Sequence, residues 1–217
     1  MSSCFRRKMD EIAESTIPPG GWGPGEADYL RAVRAACRAL SLDIISAGEF
    51  HIQMWSTVDR GLTRAWGEGM AECGLALDEM TPEERERLNQ ELTPRLQRID
   101  PLSDFIVRSR GRGVALSAAI SERLRLWAND YRGVRTIAAA MACGNRKKQW
   151  VRGPTKEPCR SCAGFANRVY RYSVWLQHNA LPQNRALCCN GYRCMCRLAD
   201  TNLPMTKGAF PAGLMCG

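Results

Sequence analysis

The stretch Trp150–Leu198, WVRGPTKEPCRSCAGFANRVYRYSVWLQHNALPQNRALCCNGYRCMCRL, decides how the rest of the chain reads. Cys159 and Cys162 open it with two residues between them, and Cys188, Cys189, Cys194 and Cys196 crowd into nine positions at its end. Between the two groups lies an aromatic-rich segment with no acidic residue. A Cys-x-x-Cys turn lets two thiolates reach one ion, and a second ligand group from a distant segment then clamps the two ends of a small module together.

Six thiols compete for four tetrahedral places. Cys159 and Cys162 are the firm half of the set. Cys189 is favoured in the second half, with Cys194 and Cys196 as two further candidates, because i, i+2 spacing on a strand turns both thiols to one face. Cys188 is the expected bystander. The 26 residues between Cys162 and Cys189 are easily accommodated in a zinc-ribbon-like loop. About 70 residues with few large aliphatic side chains make a poor core, so one structural zinc ion is expected to supply the missing stability. The alternatives are reduced thiols packed beneath a hairpin, or disulfides between nearby pairs once the chain meets an oxidising environment.

Eleven cysteines in 217 residues is a high count. The N-terminus MSSCFRRKMDE is followed by no apolar stretch of the secretory type, so an exported disulfide framework is not expected. No uncharged run nears the roughly 20 residues of a membrane span. The expectation is a soluble chain made in a cytoplasm. Cys37, Cys73 and Cys143 fall singly in helical patterns and read as small buried hydrophobes; Cys4 and Cys216 fall in expected tails and carry no signal.

Charge is divided unevenly. From Arg146 onward there are twelve Lys or Arg against Glu157 and Asp200, a net +10, which leaves the first 145 residues at −1 out of the chain's +9. Such confinement points to an acidic partner, nucleic acid being the usual one, or to a solvated surface facing an acidic protein.

Upstream, the pattern is helical. Residues 1–25 end in TIPPGGWGPGE and read as a flexible arm. Leu30, Val33, Cys37 and Leu40 share a face, with the helix ending near Ser46–Gly48. Phe50, Met54, Val58, Leu62, Trp66 and Met70 recur every four residues on a helix reaching toward Leu77. Thr81-Pro82-Glu83-Glu84 starts another with a capping box. Leu88, Leu92, Leu96 and Ile99 line its face, and Pro94 and Pro101 predict a kink or two helices meeting around Asp100. Arg108–Gly113 reads as a solvated basic loop. Leu116, Ile120, Leu124, Trp127, Tyr131, Val134, Ala138 and Met141 predict a helix over 114–142, stopped at Gly144-Asn145.

Beyond it, strands are expected at 148–151, 168–171 and 195–199, and a short helix capped by Ser173 through Asn179. The predicted fold is therefore mainly α: an N-terminal helical bundle or set of long helices over 26–145, a small α+β Cys-rich module over 146–201, and an extended tail over 202–217. Catalysis finds no support. His51 lies on a helix face, His178 is a weak candidate ligand or base, and no carboxylate pair, nucleophile motif or phosphate-cradling loop appears.

The order of elements in the module resembles the minor head, or head morphogenesis, proteins of tailed phages and prophages, the Mu F-like family. The residues that carry the resemblance are Trp150, Cys159–Cys162, Val169-Tyr170, Trp175, Pro182 and the closing Cys189-Asn190-Gly191-Tyr192-Arg193-Cys194-Met195-Cys196; GLTRAWGEGMAE (61–72) is also similar to the helical part of such proteins. The Cys188–Cys189 doublet departs from the pattern and leaves the ligand set ambiguous. The resemblance implies a virion component in few copies near the portal, contacting portal or major capsid protein, and acting in head assembly and DNA packaging. The rival expectations are a zinc-finger-type regulatory protein that binds nucleic acid and, less well supported, a metal-dependent nuclease.

Overall fold

Residues 25–110, 114–154, 157–191 and 194–216 are described by a computed structural model. The expected N-terminal arm, Cys4, Gly111 to Gly113 of the basic loop, the side chain of Leu116, and Lys156, Tyr192 and Arg193 lie outside the described residues. The described chain is mainly helical, with one small C-terminal sheet and a cysteine cluster. Its elements are α1 (Glu26–Ser41), α2 (Ala47–Ala71), α3 (Pro82–Leu96), α4 (Ile99–Arg108), α5 (Val114–Ala142), β1 (Lys147–Val151), α6 (Arg160–Phe165), β2 (Val169–Arg171), α7 (Tyr172–Gln177) and β3 (Arg197–Asp200). Among the described residues no helix is long and apolar enough to cross a membrane.

Two compact units emerge, and they do not follow the sequence division at residue 145. One takes in the described residues up to Gly61 with Leu92–Leu124; the other takes in Leu62–Glu91 with the chain from Arg125 onward. The helical segments 62–71 and 125–142 therefore belong with the cysteine-rich part, so that part is no free-standing module of about 70 residues.

In the first unit, Tyr29, Val33, Cys37 and Leu40 of α1 are buried, as are Phe50, Met54 and Val58 of α2 and Ile99, Leu102 and Ile106 of α4. Gly61 leaves room for the Tyr29 ring, which any Cβ there would strike. Burial pushes the Cys37 thiol up to about 12, so it is an inert core group, as expected from its helical position. Helix α1 stops at Ser41, earlier than the sequence pattern indicates, because Ser46 serves the next helix. Its Oγ accepts from Glu49 N–H at 3.2 Å while the Glu49 carboxylate accepts from Ser46 N–H at 2.7 Å. The basic loop helps to hold the fold. Arg110 donates twice to Leu40 O, at 3.2 and 2.9 Å, and pairs with Asp43 at 2.8 Å, closing the C-terminus of α1. His51 pairs with Asp100 at 2.8 Å on the surface of this unit.

Thr81 and Glu84 form the expected box at the start of α3: Glu84 N–H donates to Thr81 Oγ1 at 3.2 Å, and Thr81 N–H donates to the Glu84 carboxylate at 2.9 Å. Thr81→Ala should destabilise the protein by about 1 kcal/mol, read as a lower urea midpoint at unchanged slope. Pro94 sits inside α3, and the break falls at Gln97–Arg98, slightly before the expected Asp100. Pro101 is then in the first turn of α4, where no N–H is needed.

In the second unit, α2 and α5 approach so closely at Gly69 that a Cβ there would meet Arg135 O and Ala138. Trp66, Met70, Trp127, Tyr131, Val134 and Ala138 are buried. Beyond the end of each helix, Cys73 and Cys143 form a disulfide with Cα atoms 5.6 Å apart, which corrects the reading of both as lone buried thiols. The sequence could not show the pairing, because the two residues are 70 positions apart and meet only when α2 lies along α5. Cys73→Ala should lower stability by roughly 2–4 kcal/mol under oxidising conditions and do little in excess reductant, as followed by thermal unfolding in both buffers.

The sheet has the order β2-β1-β3, all antiparallel, with Lys147 opposite Arg171 and Val151 opposite Arg197. Lys148 and Trp150 point inward. Lys148, only 2% exposed, pairs with Asp200 at 3.1 Å and lies over the Tyr172 ring, so it is not part of any basic surface. Beneath the sheet Trp150, Phe165, Tyr170, Trp175 and Phe210 form an aromatic core with ring centroids 5.0–5.6 Å apart. Ser173 does not cap α7 as expected. It lies within the helix, and the N–H groups of Tyr172 and Ser173 donate instead to Arg146 O and Gly144 O at 3.0 and 2.9 Å.

The last residues are extended, as the sequence indicates, and they are also docked as a strap. Thr206 exchanges hydrogen bonds with Val169 at 2.9 Å, Phe210 enters the aromatic core, and Cys216 forms a disulfide with Cys188. That disulfide overturns the expectation that Cys216 carries no signal.

Candidate metal centre

Short-range geometry at each end of the module aims its sulfurs inward. Cys159 caps α6, its Sγ accepting from Cys162 N–H at 3.4 Å, so the Cys-x-x-Cys pair is the first turn of a helix. At the second end, Asn190 and Gly191 have consecutive positive φ angles of 51° and 68°, which reverse the chain directly after Cys189. A side chain at Gly191 would strike Gln183 O, and its own carbonyl accepts from the buried Asn129 amide of α5 at 2.7 Å. Gln183 Nε2 donates to Cys194 O at 3.3 Å and to Cys196 O at 2.7 Å. These bonds take both carbonyls away from a ladder, which explains why β3 begins at Arg197 and not at Met195. Alternation survives nonetheless. Cys194 and Cys196 are 3% and 5% exposed while Met195 between them is 48% exposed. Gly153 makes this possible, since a Cβ there would collide with Met195.

Five sulfurs result from this arrangement. Cys159, Cys162 and Cys189 lie within 4.8 Å of one another, as do Cys162, Cys194 and Cys196, and Cys162 belongs to both groups. Cys162 and Cys194 are 4.0 Å apart. Four thiolates at about 2.3 Å from a tetrahedral ion stand roughly 3.8 Å from each other, so the spacing fits one ion after small adjustment. All five expected ligands are brought together. Cys188, the expected bystander, is excluded by its disulfide to Cys216, with Cα atoms 4.8 Å apart. His178 does not join them: its ring stacks on Phe210 with centroids 4.1 Å apart.

Electrostatics at the cluster show why a cation suits it. Hydrogen bonds from Cys162 and then Cys194 hold the Cys189 and Cys196 thiols well below the usual thiol range. Cys162 is pushed far up, because its proton is held by Cys189 first and then by Cys194 and Cys196. Cys194 is also raised: the bond from Cys162 pulls it down, but its bonds to Cys189 and Cys196, with burial, outweigh that pull. Crowded, half-buried thiols oppose one another's ionisation, and a positive charge among them relieves that opposition.

Backbone donors already favour ionised sulfur. Gly191 N–H serves Cys189, Gly153 N–H serves Cys196 and Gln183 N–H serves Cys194. The Trp150 indole N–H, buried and without a hydrogen bond of normal length, also favours the Cys196 thiolate. Such outer donors orient ligands and raise metal affinity. Among the described residues the grouped ligand atoms are all thiols, and the cluster could hold a metal ion.

Several supporting residues escape sequence reasoning. Ser161, fully buried, donates to Leu214 O at 2.5 Å and accepts from Cys188 N–H at 2.9 Å, tying α6 to both the strap and the second cysteine group. Asn129 carries a faint signal, as an amide among the apolar residues of α5. Gln183, with φ of 65°, carries none.

No family model matches the chain, and neither do any of the curated proteins or solved structures with which it was compared.

Proposed function

We propose that the chain is a non-enzymatic minor head protein of a tailed phage or prophage, acting in head morphogenesis near the portal. On this reading the helical part docks on portal or major capsid protein, and the cysteine-rich part, held by one zinc ion, faces DNA or an acidic partner. The observation that carries the proposal is the ordered set Trp150, Cys159–Cys162, Val169-Tyr170, Trp175, Pro182 and Cys189 to Cys196. These are the residues that resemble such proteins, and their Cys159, Cys162, Cys189, Cys194 and Cys196 form two close thiol groups that share Cys162. Zinc is the ion proposed because an all-thiolate tetrahedral set is its usual structural environment.

Mass spectrometry of purified virions or proheads from the source of this chain tests the proposal. The chain should be present at a few copies per particle, and its absence from both would sink the reading.

The confined +10 charge favours one other reading, a zinc-finger-type regulator that binds nucleic acid. That reading requires sequence-selective binding. A head protein should instead bind weakly, with a steep salt dependence and no preferred site.

A further inference from the structure

The two halves of the thiol set are also joined by a route that does not pass through the metal. Ser161 directly precedes Cys162, and Cys188 directly precedes Cys189. The end of the strap lies against both. Ser161, fully buried, donates to Leu214 O at 2.5 Å and accepts from Cys188 N–H at 2.9 Å. Leu214 packs so closely on α6 that a Cβ at Gly164 would strike its side chain, and Phe210 stacks against Phe165 at the end of the same helix. On the other side Leu187 bridges to Met215, Cys216 N–H donates to Ala186 O at 3.0 Å, and the Cys188–Cys216 disulfide fixes the strap covalently to the second cysteine group. The strap therefore ties the loop that carries Cys189 to the helix that carries Cys162. Its one covalent fastening is within reach of solvent: Cys216 is exposed and Cys188 half-buried. In the other disulfide, between α2 and α5, Cys143 is buried.

We infer that the Cys188–Cys216 disulfide is a redox latch on the metal centre, which slows exchange of the ion when closed and is opened by a dithiol reductant. The inference rests on the metal-centre reading and names the regulation of that site. An ion held by several thiolates leaves one ligand at a time. A thiolate that has let go rebinds before the next opens if its half of the site is held nearby. The hydrogen bonds of Ser161 and Gln183 give such restraint only until they open locally, whereas the disulfide keeps it through those openings. Opening the latch is ordinary thiol–disulfide exchange. A thiolate of the dithiol attacks Cys216 Sγ and forms a mixed disulfide, and Cys188 leaves as a thiolate. The second thiol of the reagent then attacks its own sulfur in that mixed disulfide, frees Cys216 and closes the reagent's disulfide. Two electrons pass to the protein, and each freed sulfur takes a proton. In a reducing compartment the chain thus exchanges and loads its ion, and oxidation afterwards locks the ion in.

The test is transfer of zinc from the full zinc-loaded chain to a chromophoric chelator. Cys188→Ser/Cys216→Ser, which offers the ion no extra thiol, should release zinc about 10-fold faster than the oxidised wild-type chain, a modest share of what tethering contributes because the hydrogen bonds remain. Its zinc content before the chelator is added should match wild type. Wild-type protein treated with dithiothreitol and freed of it by gel filtration should release zinc at the rate of the double variant, which itself should not respond to that treatment. Cys73→Ala/Cys143→Ala removes the other disulfide and should keep both the slow release and its response to reductant. Equal release from oxidised wild type and Cys188→Ser/Cys216→Ser, each holding zinc, would overturn the latch and leave the metal centre standing. A chain that holds no zinc in either form would overturn both.

Discussion

Cys162→Ser is expected to strip the protein of its metal and, with it, the order of β1, α6, β2 and β3. Cys162 lies within 4.8 Å of each of the other four thiols, which makes it the sulfur expected in a tight four-ligand set. The serine hydroxyl is a poor ligand for a soft-leaning ion, and it leaves the remaining thiols crowded without the charge that balances them. Structural zinc contributes on the order of 10–16 kcal/mol in isolated zinc-binding peptides, as much as the whole stability of an ordinary domain. Chelation of the wild-type chain should act in the same direction. Hydrogen exchange should show protection lost over β1, β2, β3 and α6, and kept in Glu26–Ser41 and Ile99–Arg108, which belong to the other unit. Cys188→Ser supplies the contrast. It removes only the link to Cys216, so metal should remain bound and the loss should be confined to the strap. Equal loss of metal in the two variants would mean that the five-thiol grouping is not the site.

Trp175→Ala should cost roughly 3–5 kcal/mol. Its indole is fully buried and packs against Trp150, Phe165, Tyr170 and Phe210, with its N–H donating to Lys148 O at 3.2 Å. Truncation opens a cavity that large neighbouring rings cannot fill by rotation, and it removes the bond that holds β1 to α7. A lowered denaturant midpoint with unchanged slope, and metal still bound, is the expected pattern. A loss below about 1 kcal/mol, small for a buried aromatic, would show that the metal alone, and not the aromatic core, holds this part together.

These two effects separate what the sequence could say from what it could not. Long helices were legible because a single apolar stripe dictates them: the run Ile120 to Met141 marks α5, and Thr81 with Glu84 marks the start of α3. The gathering of the thiols was legible too, since Cys-x-x-Cys and Cys-x-Cys fix local direction, and only the disulfide that joins Cys188 to Cys216 needed the fold. The strap was not legible. Phe210, Thr206 and Cys216 look like an unstructured end in sequence, and their partners Trp175, Val169 and Cys188 lie 28 or more positions earlier in the chain. The unit boundary was hidden for a related reason: α2, α3 and α5 each run on past it without any break in their own pattern. Cys73 and Cys143 mislead because a thiol on a helix looks the same whether it packs alone or meets a partner. Expectations of function rest on the ordered motif, and virion content is their test.

The claim on which the rest depends is that four of the five clustered thiols hold one metal ion. Protein purified under reducing conditions, assayed for metal and for thiols that react with an alkylating reagent before and after chelation, tests it directly. The metal-staple reading predicts about one zinc per chain, with four thiols among Cys159, Cys162, Cys189, Cys194 and Cys196 becoming reactive only when the ion is removed. A metal-free chain of equal stability, with those thiols unreactive from the start, would contradict it.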